Sequence, residues 1–467
     1  MNLSDSERIQ AVFEGLGYTR TEIEEEATLL GIVACSVRQN AINKVYSKIH
    51  QWNLWKNRKN LLTFVSGCIL PADEEKFLTR FDLVFHIKDL SQVPDMIRQY
   101  GVVTPLSQFS GTEVETQVAI PPPNPLAALS PLAPLSKDPM GGFWNITPHY
   151  QSPFEAFVPI QNGCDKFCTF CAVPYTRGRE VSRPSEEILQ EVESLALKGY
   201  KSITLLGQNV NSYGLDKPGV EVGFSRLLEQ IGELGNRLGG GFWLYFTSPH
   251  PRDMNLDVIQ TIARFPVLAK QVHLPLQSGD EKVLIRMNRN HSLEKYRQIV
   301  QNIREILPMA TLVTDIIVGF TGETREQFEG SRAAMREFQY NMAYIAMYSP
   351  RPGAASNRWE DDISLDEKKL RLQELTKELH ASAGAYNRAM VGKTFTILVE
   401  KADRKAGYLS GRTEGKVLVR FRSSDSSLIG QFVSIHITSS IPLSTEGDLV
   451  GEPLRVPNPV PQLVLVP

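Results

Sequence analysis

A chain of 467 residues exceeds one ordinary domain and predicts about three. A hydrophobic content of 42% and a net charge of −2 describe an ordinary globular protein and exclude a chain that nucleic acid would attract by overall charge, so any basic surface has to be local. No apolar run nears the ~20 residues of a membrane span, Met1-Asn2-Leu3-Ser4-Asp5-Ser6-Glu7 lacks the parts of a signal peptide, and few, clustered cysteines suit a reducing cytoplasm.

The first hundred residues read as a small α/β unit. Ile9, Val12, Phe13 and Leu16 recur at helical spacing over residues 4–16, with Gly17 as the stop. Two short apolar runs, Leu29 to Ala34 and Leu61 to Val65, predict buried strands, and each leads to a cysteine, Cys35 and Cys68. Ligand sites of open α/β sheets lie at such carboxyl ends, although a lone cysteine is also a common small core residue. Residues 103–152 change character: Pro121, Pro122, Pro123, Pro125, Pro131, Pro134 and Pro139 interrupt any periodicity and predict an extended connector.

From residue 153 strands and helices alternate. Phe157–Ile160, Ile203–Leu206, Phe242–Phe246, Val272–Leu276, Leu312–Val318 and Met342–Met347 are the apolar runs, with amphipathic helices between them. One helix is expected to be capped by Ser185, with Glu186 and Glu187 in its first turn and Gly199 as its stop; Thr324 and Gln327 form a capping-box pattern. Six β/α units predict an open parallel barrel whose chemistry sits on the loops after each strand. His273, inside an apolar strand, reads as a core residue. A long polar helix is expected over residues 360–388, with Leu370, Leu372, Leu375, Leu379 and Ala383 on one face.

The loop after the first of these strands is Gly163-Cys164-Asp165-Lys166-Phe167-Cys168-Thr169-Phe170-Cys171, spaced C-x3-C-x2-C. Three thiolates on one short loop can hold three corners of a cubane iron–sulfur cluster and leave the fourth iron open. A structural zinc site is the competing reading; it needs a fourth Cys or His nearby, and no second pair follows.

Beyond Val391 the period changes to two. Val417, Val419 and Phe421, then Val433, Ile435 and Ile437, alternate with polar positions and predict a small antiparallel barrel of the oligonucleotide-binding kind. Residues 389–440 carry eight Lys and Arg (Lys393, Lys401, Arg404, Lys405, Arg412, Lys416, Arg420, Arg422) against four acids (Glu400, Asp403, Glu414, Asp425), a local balance of +4. Such a balance suits a phosphate backbone, and a merely solvated charged face would show it too.

With Phe170 before its last cysteine, the three-cysteine loop resembles the signature of the radical S-adenosylmethionine (SAM) superfamily. The following Val173-Pro174-Tyr175-Thr176-Arg177-Gly178-Arg179-Glu180 is similar to its methylthiotransferases. The resemblance implies that the open iron chelates SAM and that one electron from the cluster cleaves it to a 5'-deoxyadenosyl radical. It places Gln208 and Asn209 at the SAM amino group, Gln277 and Ser278 at the ribose, and Ile317 to Gly319 at the adenine.

Ala34-Cys35-Ser36-Val37-Arg38 and Ser66-Gly67-Cys68 resemble the second and third cysteine motifs of the family's N-terminal domain, which carries an auxiliary [4Fe-4S] cluster. The family's first cysteine, in a pattern like C-x-M-N-x-x-D-S, would fall just before Met1. The expectation is a start assigned late, at an internal Met, with a natural two-thiolate site as the alternative.

Gly411-Arg412-Thr413-Glu414-Gly415-Lys416 resembles the RNA-binding TRAM domain that ends these enzymes, with Arg412, Lys416 and Arg420 as RNA contacts. The implied organisation is an α/β N-terminal domain over 1–102, a linker over 103–152, a (β/α)6 radical SAM barrel with trailing helix over 153–388, TRAM over 389–453 and a tail over 454–467. Cys35-Ser36-Val37-Arg38 and Tyr348-Ser349-Pro350-Arg351-Pro352-Gly353 are most similar to members that methylthiolate C2 of isopentenylated adenosine in the tRNA anticodon stem-loop. That implies two clusters, SAM, a flavodoxin or ferredoxin as electron donor, and a cytoplasmic monomer. Methylthiolation of threonylcarbamoyladenosine or of a ribosomal protein, and a non-catalytic iron–sulfur RNA-binding protein, are the alternatives.

Overall fold

The computed structural model describes residues 1–35, 39–99 and 139–451. Ser36-Val37-Arg38, most of the proline-rich connector and the tail expected over 454–467 lie outside the described residues. The chain divides into two compact units: Met1–Gln151 with Cys171–Val181 and Arg351–Gly353, and Ser152–Phe170 with Ser182–Pro350 and Ala354–Pro467.

In the first unit α1 (Asn2–Gly15) precedes β1 (Leu29–Cys35), α2 (Gln39–Lys56), β2 (Leu62–Cys68), α3 (Pro71–Leu78), β3 (Leu83–Val84) and α4 (Val93–Gln99). The helix α1 begins two residues earlier than its apolar spacing suggests, and Gly17, at φ +91°, follows its end as expected. The three strands form a parallel sheet in sequence order. Apolar side chains cover both faces, as parallel sheets require: Ile9, Phe13, Phe64 and Leu90 on one, Ile42, Val45, Ile49 and Val65 on the other. Met140, Phe143 and Trp144, within the span expected as linker, belong to the first of these cores. They are apolar and large enough to bury.

The second unit carries β4 (Glu155–Pro159), the short β5 (Gln161–Asn162) and, beyond the first unit's α5 (Val173–Arg177) and the short β6 (Val181–Ser182), the regular alternation. That alternation runs α6 (Ser185–Leu197), β7 (Ser202–Leu206), α7 (Phe224–Arg237), β8 (Trp243–Phe246), α8 (Leu256–Arg264), β9 (Gln271–His273), α9 (Glu281–Arg286), α10 (Leu293–Ile306), β10 (Thr311–Val318), α11 (Arg325–Phe338), β11 (Met342–Met347) and α12 (Leu365–Met390). All six expected strands are present and parallel, in two ladders, β4-β7-β8 and β11-β10-β9, and among the described residues no ladder joins β4 to β11.

Two local expectations need correction. Ser185 is not a cap: Pro184 holds the cap position and Ser185 is the first helical residue, without a side-chain capping bond. The buried face of α12 includes Lys368 and Arg371, whereas Leu370 is 47% exposed. These charges can be buried because each meets a partner: Lys368 Nζ lies 2.5 Å from Asp361 Oδ1, and Arg371 Nη1 donates to Glu323 Oε2 at 2.8 Å. The Thr324–Gln327 capping box forms as read.

The last five strands, β12 (Thr394–Ala402), β13 (Tyr408–Thr413), β14 (Leu418–Arg422), β15 (Phe432–Ile441) and β16 (Ser444–Val450), close a barrel in the order β12-β13-β14-β16-β15. Closure leaves no free edge. The pairing is antiparallel except between β14 and β16, which run parallel. Val419, Phe421, Val433, Ile435 and Ile437 fill the interior with no exposed surface, as the period of two requires.

Candidate functional site

Cys164 and Cys168 are buried and Cys171 is half-buried; none of the five cysteines forms a disulfide. The loop that bears them is held by backbone bonds. Thr169 N–H donates to the Met287 carbonyl at 3.0 Å, its hydroxyl to the Arg286 carbonyl at 2.9 Å, and Asn288 Nδ2 to the Phe167 carbonyl at 3.0 Å. The Gly163 N–H is taken by Gln208 Oε1, so this amide from the loop after β7 fixes the start of the cysteine loop. Phe170 packs edge-on against Phe320, and with Ile317 it borders a small core of Val283, Met287, Phe320 and Tyr348.

Cations surround this loop. Arg289 Nη1 lies 3.5 Å from Cys168 Sγ, and Lys166 Nζ pairs with Asp253 Oδ2 at 2.6 Å. Burial pushes the Asp253 carboxyl up, but hydrogen bonds from Lys166, Arg252 and Asn209 outweigh it and hold the carboxyl below its usual range. Asn209 Oδ1, Gln161 Oε1, Arg289 Nε, His250 Nε2 and His291 Nε2 are buried without a partner among the described residues. Buried polar atoms are ordinarily bonded, and a set of orphans on one rim marks space for a polar ligand. Burial, with the charge of Arg289, keeps both imidazoles neutral, His291 lowered to about 4.

The remaining expected SAM contacts are placed as follows. Gln277 takes a left-handed backbone, φ +77°; its N–H donates to the Asp315 carbonyl, and its own carbonyl accepts from Ile317 N–H. Ser278 is fully buried, its hydroxyl accepting from Asp280 N–H, so that side chain supports the turn rather than facing open space. Gly319, φ +66°, donates to Glu323 Oε2 at 2.7 Å, and a Cβ there would meet Lys368 Cγ at 2.5 Å. Glycine is required where this turn passes the helix. Glu323, Lys368 and Arg371 fix that turn; Lys368 and Arg371 were missed because a charged residue on a polar helix gives no burial signal in sequence.

In the first unit Cys35 and Cys68 are register partners at the carboxyl ends of β1 and β2. Gly67, φ +99°, precedes Cys68, and a Cβ there would lie 2.5 Å from the Ala34 carbonyl oxygen, so glycine lets the strands meet at the thiols. Burial raises the Cys68 thiol while Arg177 opposes it. Arg177 Nε donates to Cys68 Sγ at 3.1 Å, and its Nη2 forms a fully buried ion pair with Asp5. Arg177 follows Cys171 by six residues, on α5.

The donor sets suit iron–sulfur chemistry: three thiols on one loop beside a guanidinium, and two in register beside another. Among the described residues no three His, Cys, Asp or Glu side chains converge as ligands of a single metal ion do; thiolates that serve a cubane sit on separate irons. No helix among the described residues is long and apolar enough to cross a membrane.

The three expected RNA contacts differ. Arg412 Nη1 pairs with Glu400 at 2.7 Å and Arg420 Nε with Asp403 at 3.1 Å, both cations being well exposed. Lys416 instead turns onto the barrel, its Nζ 4.0 Å from the Tyr245 ring centroid and 3.7 Å from Glu155 Oε1, and burial lowers its pKa. Around it Lys270 N–H donates to Glu414 Oε1 and Thr311 Oγ1 to the Gly415 carbonyl. The turn between β13 and β14 is therefore a junction with the strands' amino ends, which the charge count could not show.

Residues 158–334 match the Radical SAM superfamily, residues 388–450 the TRAM domain, and residues 1–87 a group described as Uncharacterized protein family UPF0004. The chain is similar to the tRNA-2-methylthio-N(6)-dimethylallyladenosine synthase of Bacillus pumilus, 34% identical over 98% of this chain and 85% of that one. It is likewise similar to the synthases of the same name from Francisella philomiragia (35%, covering 96% and 97%) and Symbiobacterium thermophilum (36%, covering 98% and 93%). Together with the cysteine loop, the open barrel and the closing β-barrel, this places the chain in the radical SAM methylthiotransferase family of tRNA-modifying enzymes, whose cofactors are iron–sulfur clusters and SAM.

Proposed function

We propose that the protein transfers a methylthio group to C2 of N6-isopentenyladenosine beside the anticodon of tRNA. The observation that carries this is near full-length identity of 34–36% to relatives named for that product. Cys164, Cys168 and Cys171 would hold one [4Fe-4S] cluster, and Cys35 and Cys68 would contribute two ligands to a second. When bound, that cluster and SAM would supply one-electron chemistry, which suits a C–H bond that is neither acidic nor electrophilic.

The chain's own part is to bind and orient. Asn209 accepts from the SAM ammonium, a role supported by its Oδ1 being buried without a partner among the described residues. Gln208 serves that end of the site through the backbone it holds. Gln277, Ile317 and Gly319 frame the ribose and adenine, with Phe170 closing the apolar side; Ser278 shapes the turn. Arg289 and Lys166 balance the negative charge of thiolates and carboxylate. Arg412 and Arg420 contact tRNA phosphates by exchanging their carboxylate partners, while Lys416 fastens the TRAM barrel. A flavodoxin or ferredoxin supplies electrons to a cytoplasmic monomer.

Nucleoside analysis of tRNA from a strain lacking the gene tests the substrate. Loss of the 2-methylthio group with isopentenyladenosine retained is expected, and an unchanged modified nucleoside would defeat the reading. Anaerobic reconstitution should give about eight irons per chain; about four would restrict the chain to the three-cysteine cluster.

A further inference from the structure

His273, expected in the core, is not a core residue. Its Nε2 lies 2.6 Å from Asp315 Oδ2, and both side chains keep access to solvent, 16% and 31% exposed. Asp315 stands opposite Tyr344 in the β10–β11 register, and the His273 and Tyr344 rings meet edge-on at 6.1 Å. Tyr344 is 58% exposed. Three neighbouring parallel strands thus present an imidazole, a carboxylate and an aromatic ring in a staggered row, His273 level with Val313 and Tyr344 level with Asp315, which lies two residues before Ile317 on the same face of β10.

Parallel strands are normally apolar on both faces. Here β10 buries Leu312, Thr314, Ile316 and Val318 on one side, whereas Asp315 and Ile317 on the other remain partly open. Among the described residues Asp315 Oδ1 and His273 Nδ1 have no hydrogen-bond partner beyond the dyad. The row therefore offers an accessible aromatic plane beside a carboxylate fixed by a neighbouring imidazole.

Resting on the activity proposed above, we infer that His273, Asp315 and Tyr344 form the subsite for the unpaired adenine base of the RNA. Enzymes that act on a base take it out of its stack and read it by stacking and by hydrogen bonds to its edge. Tyr344 stacks on the ring. Asp315 Oδ1 accepts the single N–H that an N6-alkylated adenine retains, and a carboxylate repels a phosphate from the same place. His273 is a positioning residue that holds Asp315.

The test uses the full chain and two anticodon stem-loop RNAs, one bearing N6-isopentenyladenosine and one abasic at that nucleotide. Wild type should bind the base-bearing RNA more tightly, roughly tenfold or more, and Tyr344→Ala and Asp315→Ala should remove that preference. Tyr344→Phe should retain it, and His273→Gln, which keeps a donor for Asp315, should retain more than His273→Ala. Unchanged thermal melting of Tyr344→Ala excludes a folding defect, since this side chain is exposed. If wild type discriminates and both alanine variants still do, or if wild type binds both RNAs equally, the subsite is wrong. If wild type binds neither RNA, the activity proposal itself falls.

Discussion

The two sets of cysteines are held by different physics. Cys35 and Cys68 end adjacent parallel strands, so ladder register fixes their spacing and a buried Arg177–Asp5 pair sits beside them. Cys164 and Cys168 lie on a loop with no ladder of its own, fixed by single hydrogen bonds that Thr169 and Asn288 donate to backbone carbonyls and that Gln208 accepts from the Gly163 N–H. A register is cooperative and fails as a unit, whereas a loop tied at several points can loosen stepwise. The strand-borne pair should thus respond to charge burial, the loop-borne set to loss of individual bonds and to pH.

The largest effect is expected at the buried ion pair. Asp5→Asn leaves Arg177 buried without its counter-charge and should cost about 3–5 kcal/mol of stability, while a double Asp5→Asn/Arg177→Met variant should recover part of it. Thermal unfolding of the two variants checks this; equal losses would mean that the pair is not what holds Cys68. Next is pH. Neutral His291 is favoured in the fold, its pKa lowered to about 4, so its contribution is complete above pH 6.5 and is lost as pH falls towards 4. That amounts to roughly 3 kcal/mol, and His291→Gln should flatten the stability profile across this window.

Smaller effects sharpen the contrast. Asn288→Ala should cost about 1 kcal/mol and lower iron retention by the three-cysteine loop, leaving iron at Cys35 and Cys68 unchanged in a Cys164→Ala background. In the last barrel, Lys416→Met should destabilise by about 1–2 kcal/mol through loss of its contact with Tyr245, without altering the salt dependence of RNA binding. Arg412→Ala and Arg420→Ala should each reduce the salt slope by about one while leaving melting nearly unchanged. A salt slope altered by Lys416→Met would return that residue to the RNA surface.

What the sequence determined by itself is carried by local period and spacing. The C-x3-C-x2-C spacing is legible without the fold, and the six β/α repeats, the change to a period of two beyond Val391 and the Thr324–Gln327 cap are short-range patterns that formed as expected. Tertiary structure alone decided the rest, because partners far apart in sequence set it. Lys368 and Arg371 face inward since Asp361 and Glu323 meet them; Lys416 leaves the basic surface since Glu155 and Tyr245 lie across from it. His273 leaves the core because Asp315, 42 residues on, stands beside it on the next strand. Periodicity tells which side chains share a face, and only long-range packing tells what that face meets.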